Sequence, residues 1–349
     1  MRTLPFSKAV REALDRCLEK DPSVYLMGLG APDPKGIFGT TSGLQEKYGP
    51  NRVMDMPTSE NAMTGIAVGA ALAGMRPVMV HQRLDFAILA MEQIVNQAAK
   101  WHYTFAGKAK VPLVIRLIVG RGWGQGPQHS QSLHSWFAHV PGLKVVAPFT
   151  PRDAKGLLIS AVEDNNPVIF IEHRWLHQAE GEVPEEDYRI PLGQGRVVQE
   201  GGDVTIVAVS YMVLEALRAA KHLAEEGIAA EVIDPRTLRP LDSDLILASV
   251  RKTGRLIAAD TSWKGAGFGA EITALAAERA WGALKAPPER LALADCPVPT
   301  TPALSVLCYP AAADIVRAAR RAMGRPAENG RALPPVPRDV PDQSFKGPF

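Results

Sequence analysis

An α/β fold is the class this sequence predicts, and three features predict it. Apolar runs of strand length alternate with longer stretches of helical periodicity, the pattern of βαβ units and of a parallel sheet covered on both faces. The chain has 349 residues, more than one typical domain, so two domains of roughly 150 residues each are expected. A polar stretch rich in Gly, Pro and Glu, residues 177–202, then separates one run of alternation from a second, as a surface connection would.

In the first half, strands are expected at residues 23–27, 76–80, 111–119, 144–147 and 167–172. Ser7 caps an opening helix whose Val10, Ala13, Leu14 and Cys17 fall on one face, and Asp21-Pro22 stops it. In the second half a strand at 204–209 leads to an amphipathic helix at 213–226 ended by Gly227, then to strands at 229–233, 255–260 and 290–294. Helices are expected at 270–281 and 311–323. The domains are thus 1–185 and 186–324. Residues 325–349, with Pro-Pro-Val-Pro and little apolar content, read as a flexible Pro-rich tail.

Composition excludes several classes. Hydrophobic residues make up 46% and charged residues 22% of the chain, as in an ordinary globular protein. A net charge of +2, with no basic stripe interleaved with aromatics, argues against nucleic acid as a partner. Cys17, Cys296 and Cys308 are widely spaced and in no metal-ligand pattern, which fits a reducing compartment. No apolar run reaches the roughly 18 residues of a membrane span, so a cytoplasmic protein is expected.

Three segments carry chemistry. Asp55-Met56-Pro57-Thr58-Ser59-Glu60-Asn61 precedes a helix of small residues, 62–74, with Gly65 and Gly69 four apart. Alone, Glu60 needs no role beyond meeting the positive end of the helix dipole, and the glycines none beyond tight packing. Val80-His81-Gln82-Arg83-Leu84-Asp85-Phe86 follows, leading into Met91-Glu92-Gln93-Ile94. The third segment is the Gly-rich run Gly120-Arg121-Gly122-Trp123-Gly124-Gln125-Gly126-Pro127-Gln128-His129-Ser130-Gln131-Ser132. Pro141-Gly142-Leu143-Lys144-Val145-Val146 and Asp153-Ala154-Lys155-Gly156 complete the set.

In this order and spacing the segments resemble the beta subunit of thiamine-diphosphate-dependent 2-oxo acid dehydrogenases of the pyruvate and branched-chain type, a transketolase-like family. The resemblance spans about residues 5–324, and Asp234-Pro235-Arg236-Thr237-Leu238, Gly267-Phe268-Gly269-Ala270-Glu271 and Asp295-Cys296-Pro297-Val298-Pro299 resemble that family's C-terminal domain. It implies a pyrimidine-binding parallel-sheet domain followed by a transketolase C-terminal-like α/β domain. It implies thiamine diphosphate as cofactor, with Glu60 as the carboxyl that meets the pyrimidine nitrogen, Phe86 and Gln82 beside it, and His129 as the histidine facing the substrate. His81, His134 and His139 have weaker claims. Leu113, Ala161, Val162, Asp164 and Asn166 match positions around a structural monovalent cation, potassium in type, although Asp164 and Asn166 are equally explained as loop caps.

The family's diphosphate and Mg²⁺ anchor, Gly-Asp-Gly followed by Asn, is absent, since no Gly-Asp-Gly occurs in the chain. Mg²⁺ ligands are therefore expected from an alpha subunit in an α2β2 heterotetramer, with a lipoyl acyltransferase core as a further partner. The sequence also departs from the family pattern. Leu29 follows Gly28 where an acidic residue is common, His134 stands where an acid is frequent, and Arg83-Leu84 replaces an aromatic pair. These changes leave three further readings open: a carboligase that passes the acyl unit to an aldehyde or ketone, a silent stabilising subunit, and, from Gly265-Ala266-Gly267-Phe268-Gly269-Ala270, a nicotinamide dehydrogenase.

Overall fold

The computed structural model describes residues 2–122 and 124–328; the expected tail from residue 329 onward lies outside them. The described chain forms two compact units. One contains the residues up to Val119 together with Trp136–Leu192, and the other contains Gly120–Ser135 and the residues from Gly193 onward. The Gly-rich segment thus belongs to the second unit, although in sequence it interrupts the first.

The first unit holds eight strands: β1 (Arg2–Pro5), β2 (Val24–Gly28), β3 (Val53–Met54), β4 (Arg76–His81), β5 (Val114–Val119), β6 (Lys144–Val146), β7 (Val168–His173) and β8 (Glu180–Val183). Strands β2 to β7 run parallel in the order β3-β2-β4-β5-β7-β6. β2, β5 and β7 are buried along their whole length, which is why their sequences are apolar without alternation. β1 and β8 form a separate antiparallel pair, so part of the stretch expected to be a plain connection is strand. The helix Phe6–Lys20 starts at Pro5, not at Ser7, which is buried inside it. The predicted apolar face, Val10, Ala13, Leu14 and Cys17, is buried and packs on the helix Pro151–Glu163. Thr150 caps that second helix by accepting from the Asp153 N–H at 3.0 Å.

A buried polar cluster lies inside this unit. The Arg116 side chain on β5 donates from Nε and Nη2 to the two carboxylate oxygens of Glu172 on β7, at 2.6 and 3.0 Å, and from Nη2 to Thr40 Oγ1 at 2.9 Å. His177 Nε2 lies 3.3 Å from Glu172 Oε2, with its ring stacked on Phe6 at 5.9 Å. None of Arg116, Glu172 and His177 has accessible surface. Burial pushes the Glu172 carboxyl up, but the Arg116 charge and the bonds from His177 and Arg116 together hold it down at about 2. Burial pushes the His177 imidazole down to about 4.

The second unit contains β9 (Arg196–Gln199), β10 (Val204–Ala208), β11 (Ala230–Asp234), β12 (Thr237–Arg239), β13 (Leu256–Trp263) and β14 (Glu289–Leu293). Its sheet has the order β14-β13-β10-β11-β9, parallel except for β9, which pairs antiparallel at the edge. The helices Tyr211–Ala224, Phe268–Ala280 and Ala312–Ala322 correspond to those expected. Ser243–Thr253 is an additional helix, capped by Asp242, which accepts from the Leu245 N–H at 3.2 Å.

Glu172→Gln leaves the Arg116 charge buried without its counter-ion and is expected to cost about 3–5 kcal/mol, read as a lowered urea midpoint. Both Glu172 and His177 titrate below their ordinary values of 4.5 and 6.5, so the unfolded chain binds more protons at acid pH. Their stabilisation is complete above pH 6.5 and is lost as pH falls, for His177 between 6.5 and about 4 and for Glu172 between 4.5 and about 2. A urea midpoint that stays level from pH 7 to pH 3 would contradict this.

Candidate active site

The strand order of the first unit reverses between β2 and β4. The chain leaves β2, places β3 outside it, and returns to lay β4 on the other side. Loops leaving the carboxyl ends of such a strand pair diverge, and the crevice between them is where open α/β sheets bind ligands. Here the crevice is built from three strand ends. Gln82, just after β4, donates from Nε2 to the main-chain oxygen of Leu29, just after β2, at 2.8 Å. Asp55, just after β3, accepts from the N–H groups of Gly30 at 2.8 Å and Met56 at 2.9 Å. Gly30 sits at φ +73°, and a Cβ there would come within 2.9 Å of Asp33 Oδ2 and 3.0 Å of Gln82 Nε2. Only glycine closes this turn without displacing Gln82.

Glu60 is the first residue of the helix Glu60–Leu72, which follows this corner, and its N-cap Ser59 makes no side-chain capping bond. Glu60 is half-buried, and no side chain among the described residues pairs with its carboxylate. Phe86 lies half-buried in the short helix Leu84–Ala87, five residues from the end of β4. His81 closes β4 and is buried; burial pushes its pKa down to about 4, so the ring is neutral near pH 7. Sequence reasoning named Glu60, Gln82 and Phe86 and missed Asp55, although Asp55 opens the segment that contains Glu60.

His129 belongs to the second unit and stands half-buried on the Gly-rich segment, its N–H donating to the Gly126 oxygen at 3.1 Å. His134, five positions on, is buried, and its Nε2 lies 2.9 Å from Asp260 Oδ1. Asp260 on β13 also accepts from Ser262 Oγ. Burial raises the Asp260 carboxyl, and His134 and Ser262 outweigh this to hold it below the ordinary value. No spacing rule could have paired two residues so far apart in sequence.

The residues expected around a monovalent cation gather at the end of the helix Pro151–Glu163. Arg76 Nη1 donates to the main-chain oxygens of Val162 and Asp164, both at 3.0 Å. Lys144 Nζ meets the Asp164 carboxylate. The Leu113 oxygen accepts from the Val168 N–H at 2.9 Å, the Ala161 oxygen from the Asp164 N–H at 3.3 Å, and the Asn166 N–H donates to Asp164 Oδ1 at 2.8 Å. The corner therefore turns carbonyl oxygens toward positive charge, and each oxygen keeps a second lone pair.

Comparison with known proteins agrees with this geometry. Residues 2–178 match the transketolase pyrimidine binding domain, and residues 193–315 match the transketolase C-terminal domain. The chain belongs to the transketolase-like family. Within this family it is similar to the beta subunit of acetoin:2,6-dichlorophenolindophenol oxidoreductase of Cupriavidus necator, with 48% identity over 332 residues covering 92% of this chain and 98% of the relative. A second relative, the mitochondrial pyruvate dehydrogenase E1 component subunit beta-2 of Oryza sativa subsp. japonica, is 45% identical, covering 91% of this chain and 86% of its own length. The chain of a split-gene transketolase, solved as an inactive beta4 tetramer, superposes with a TM-score of 0.76 at 26% identity, covering 92% of this chain and 98% of its own. The glycines that formally fit a dinucleotide fingerprint fall within the matched transketolase C-terminal domain, which accounts for them without a nicotinamide cofactor.

In this transketolase-like chain, Gly30→Ala is expected to lose about 1–2 kcal/mol from the left-handed backbone alone and to release Gln82 from Leu29. Thermal denaturation measures the first effect, and cofactor affinity in the assembled enzyme measures the second. An unchanged affinity would count against a binding role for Gln82.

Proposed function

We propose that this chain is the beta half of a heterotetrameric α2β2 thiamine-diphosphate-dependent 2-oxo acid dehydrogenase, which decarboxylates a 2-oxo acid and passes the acyl group to a lipoyl arm. The observation that carries the reading is Glu60, a half-buried carboxylate without a partner among the described residues, at the start of the helix beside the switch-point crevice. The chain's own groups fit the aminopyrimidine half of the cofactor. Gln82 stands at the crevice, Phe86 would lie beside the ring, and Glu60 would hold a proton against a ring nitrogen and take it back. Thiamine diphosphate, when bound, supplies an electron sink for the carbanion that decarboxylation leaves behind. His129 would exchange a proton with the substrate-derived oxygen. Leu113, Ala161, Val162, Asp164 and Asn166 would surround a potassium ion, which would share the Val162 and Asp164 oxygens with Arg76.

The alpha-type partner follows from two features. The chain lacks the Gly-Asp-Gly segment that would anchor a diphosphate and Mg²⁺. The helix Glu60–Leu72 also leaves Ala62, Ile66 and Gly69 exposed, with Ile66 57% accessible, a face of small residues that lets another helix approach closely. Among the described residues no helix is long and apolar enough to cross a membrane.

A second reading is favoured by the acetoin-directed names of relatives from Cupriavidus necator and Bacillus subtilis and by Leu29 in place of the family's acid. In this reading the same groups act on an acyloin, joining or separating an acyl unit and a carbonyl compound. Steady-state rates of the assembled enzyme with 2-oxo acids and with acyloins decide between the two.

Glu60→Gln keeps the size of the side chain and removes its exchangeable proton. With the alpha-type partner present, C2 proton exchange of bound thiamine diphosphate is expected to slow by about 10²–10⁴-fold, with assembly intact. If Glu60 only met the helix dipole, the cost would be about 0.3–1 kcal/mol of stability and the exchange rate would not change, which would sink the assignment.

A further inference from the structure

The described residues of the segment Gly120–Ser135 form no strand before His134 opens a short helix, yet the segment clusters with the second unit. Between Gly122 and His129 the main chain makes local turns, with Gln125 N–H donating to Gly122 O at 3.2 Å and His129 N–H to Gly126 O at 3.1 Å. A run this rich in glycine has many conformations to lose. It is held at its two ends and in its middle.

At the near end, Arg121 is fully buried and donates from Nε to the Pro299 oxygen at 3.1 Å and from Nη2 to the Thr300 oxygen. In the middle, Gly126 runs so close to the same stretch that a Cβ would stand 2.4 Å from Thr300 Oγ1. At the far end, His134 meets Asp260, both 2% exposed in their side chains, and Ser262 braces the carboxylate. The receiving stretch is tied to β13 in turn, because Trp263 Nε1 donates to the Cys296 oxygen at 2.9 Å. A buried polar pair built on a carboxylate is a poor device for stability alone, since apolar residues of similar volume do as well, but it favours one register.

We propose that Arg121 and Asp260 are positioning residues, the two ends of a clamp that holds the His129 segment on the second unit so that the imidazole meets substrate in one orientation. The proposal rests on the reading of His129 given above. Arg121 supplies a rigid fork that fits two successive carbonyl oxygens, a role a lysine cannot fill. Asp260 acts through His134 and touches no substrate itself. Displacing a catalytic group by about 1 Å can cost about 100-fold in rate, so a modest loosening of either end is felt at the chemical step.

The test uses Asp260→Asn and Arg121→Lys in the assembled enzyme, each alone and combined with His129→Ala. Hydrogen exchange in peptides covering residues 120–135 is expected to quicken at least about tenfold in either single variant, with peptides from β10 and β11 unchanged. Turnover is expected to fall about 100-fold with KM unchanged, and in the His129→Ala background neither substitution lowers it further. Loop exchange that stays at the wild-type rate in both variants overturns the clamp. Losses that add fully to that of His129→Ala overturn the positioning role, since they show an effect that does not pass through His129. Wild-type turnover in His129→Ala itself overturns the catalytic reading of His129 and the positioning built on it. That result is told apart from a failed clamp because the loop exchange is still raised. Arg121→Lys keeps the charge and lies at the other end of the segment, so it serves as the test should Asp260→Asn not fold.

Discussion

Two opposite charges shut away from water, Arg116 and Glu172, set the terms for much of the first unit. They lie on neighbouring strands, and each reaches a second element: Arg116 to Thr40 in the loop after β2, Glu172 to His177 near the N-terminal helix. Neither charge can be left alone at low dielectric, so loop, sheet and helix are obliged to move together or not at all. The same loop carries Phe38 at φ +51°, a strained position for a bulky residue. Its ring lies 5.5 Å from the Arg83 guanidinium and 4.5 Å from that of Arg174, contacts that help offset the strain. The loop begins at Leu29, whose oxygen Gln82 holds. The shape of the crevice is therefore inherited from a charge pair deeper in the sheet.

The central strands were legible because burial on both faces leaves an unbroken apolar run, and β2, β4, β5 and β7 stand within a few residues of expectation. The edges were not legible. β8 and β9 carry mostly half-buried or exposed residues in a stretch whose Gly, Pro and Glu content reads as connection, β1 is four residues that read as the lead into the first helix, and the pairing of all three is decided by distant chain. The segment Glu92–Ala98 winds as a π-helix, which periodicity at 3.6 residues does not reveal. The helix at Ser243–Thr253 was overlooked, although Asp242 before it is an ordinary cap.

The candidate site divides along similar lines. Glu60, Gln82, Phe86 and His129 were named only through the joint order of several segments, since each has an unremarkable structural reading by itself. The bonds that tie the chain near them, Asp55 to Gly30 and Asp260 to His134, join residues distant in sequence and leave no periodic trace. Within the first unit one helix has Glu60 at its start and exposed Ala62 and Gly69 along its side. In the proposed reading, assembly and proton transfer share that helix, so a change made for one is felt by the other.

The corner where Arg76 meets the carbonyls of Val162 and Asp164 stands at the carboxyl end of the helix Pro151–Glu163, where the peptide dipoles leave a partial negative charge. Arg76 and Lys144 are counter-ions covalently tethered to the chain. A tethered ion cannot be diluted away, so its local concentration does not depend on the medium. Positive charge therefore reaches this helix end as soon as β4 and β6 are in place, and no diffusing cation is needed to begin it. The carboxyl end of that helix thus keeps its counter-charge whatever ions surround the protein, while added salt still screens the attraction at these partly exposed groups.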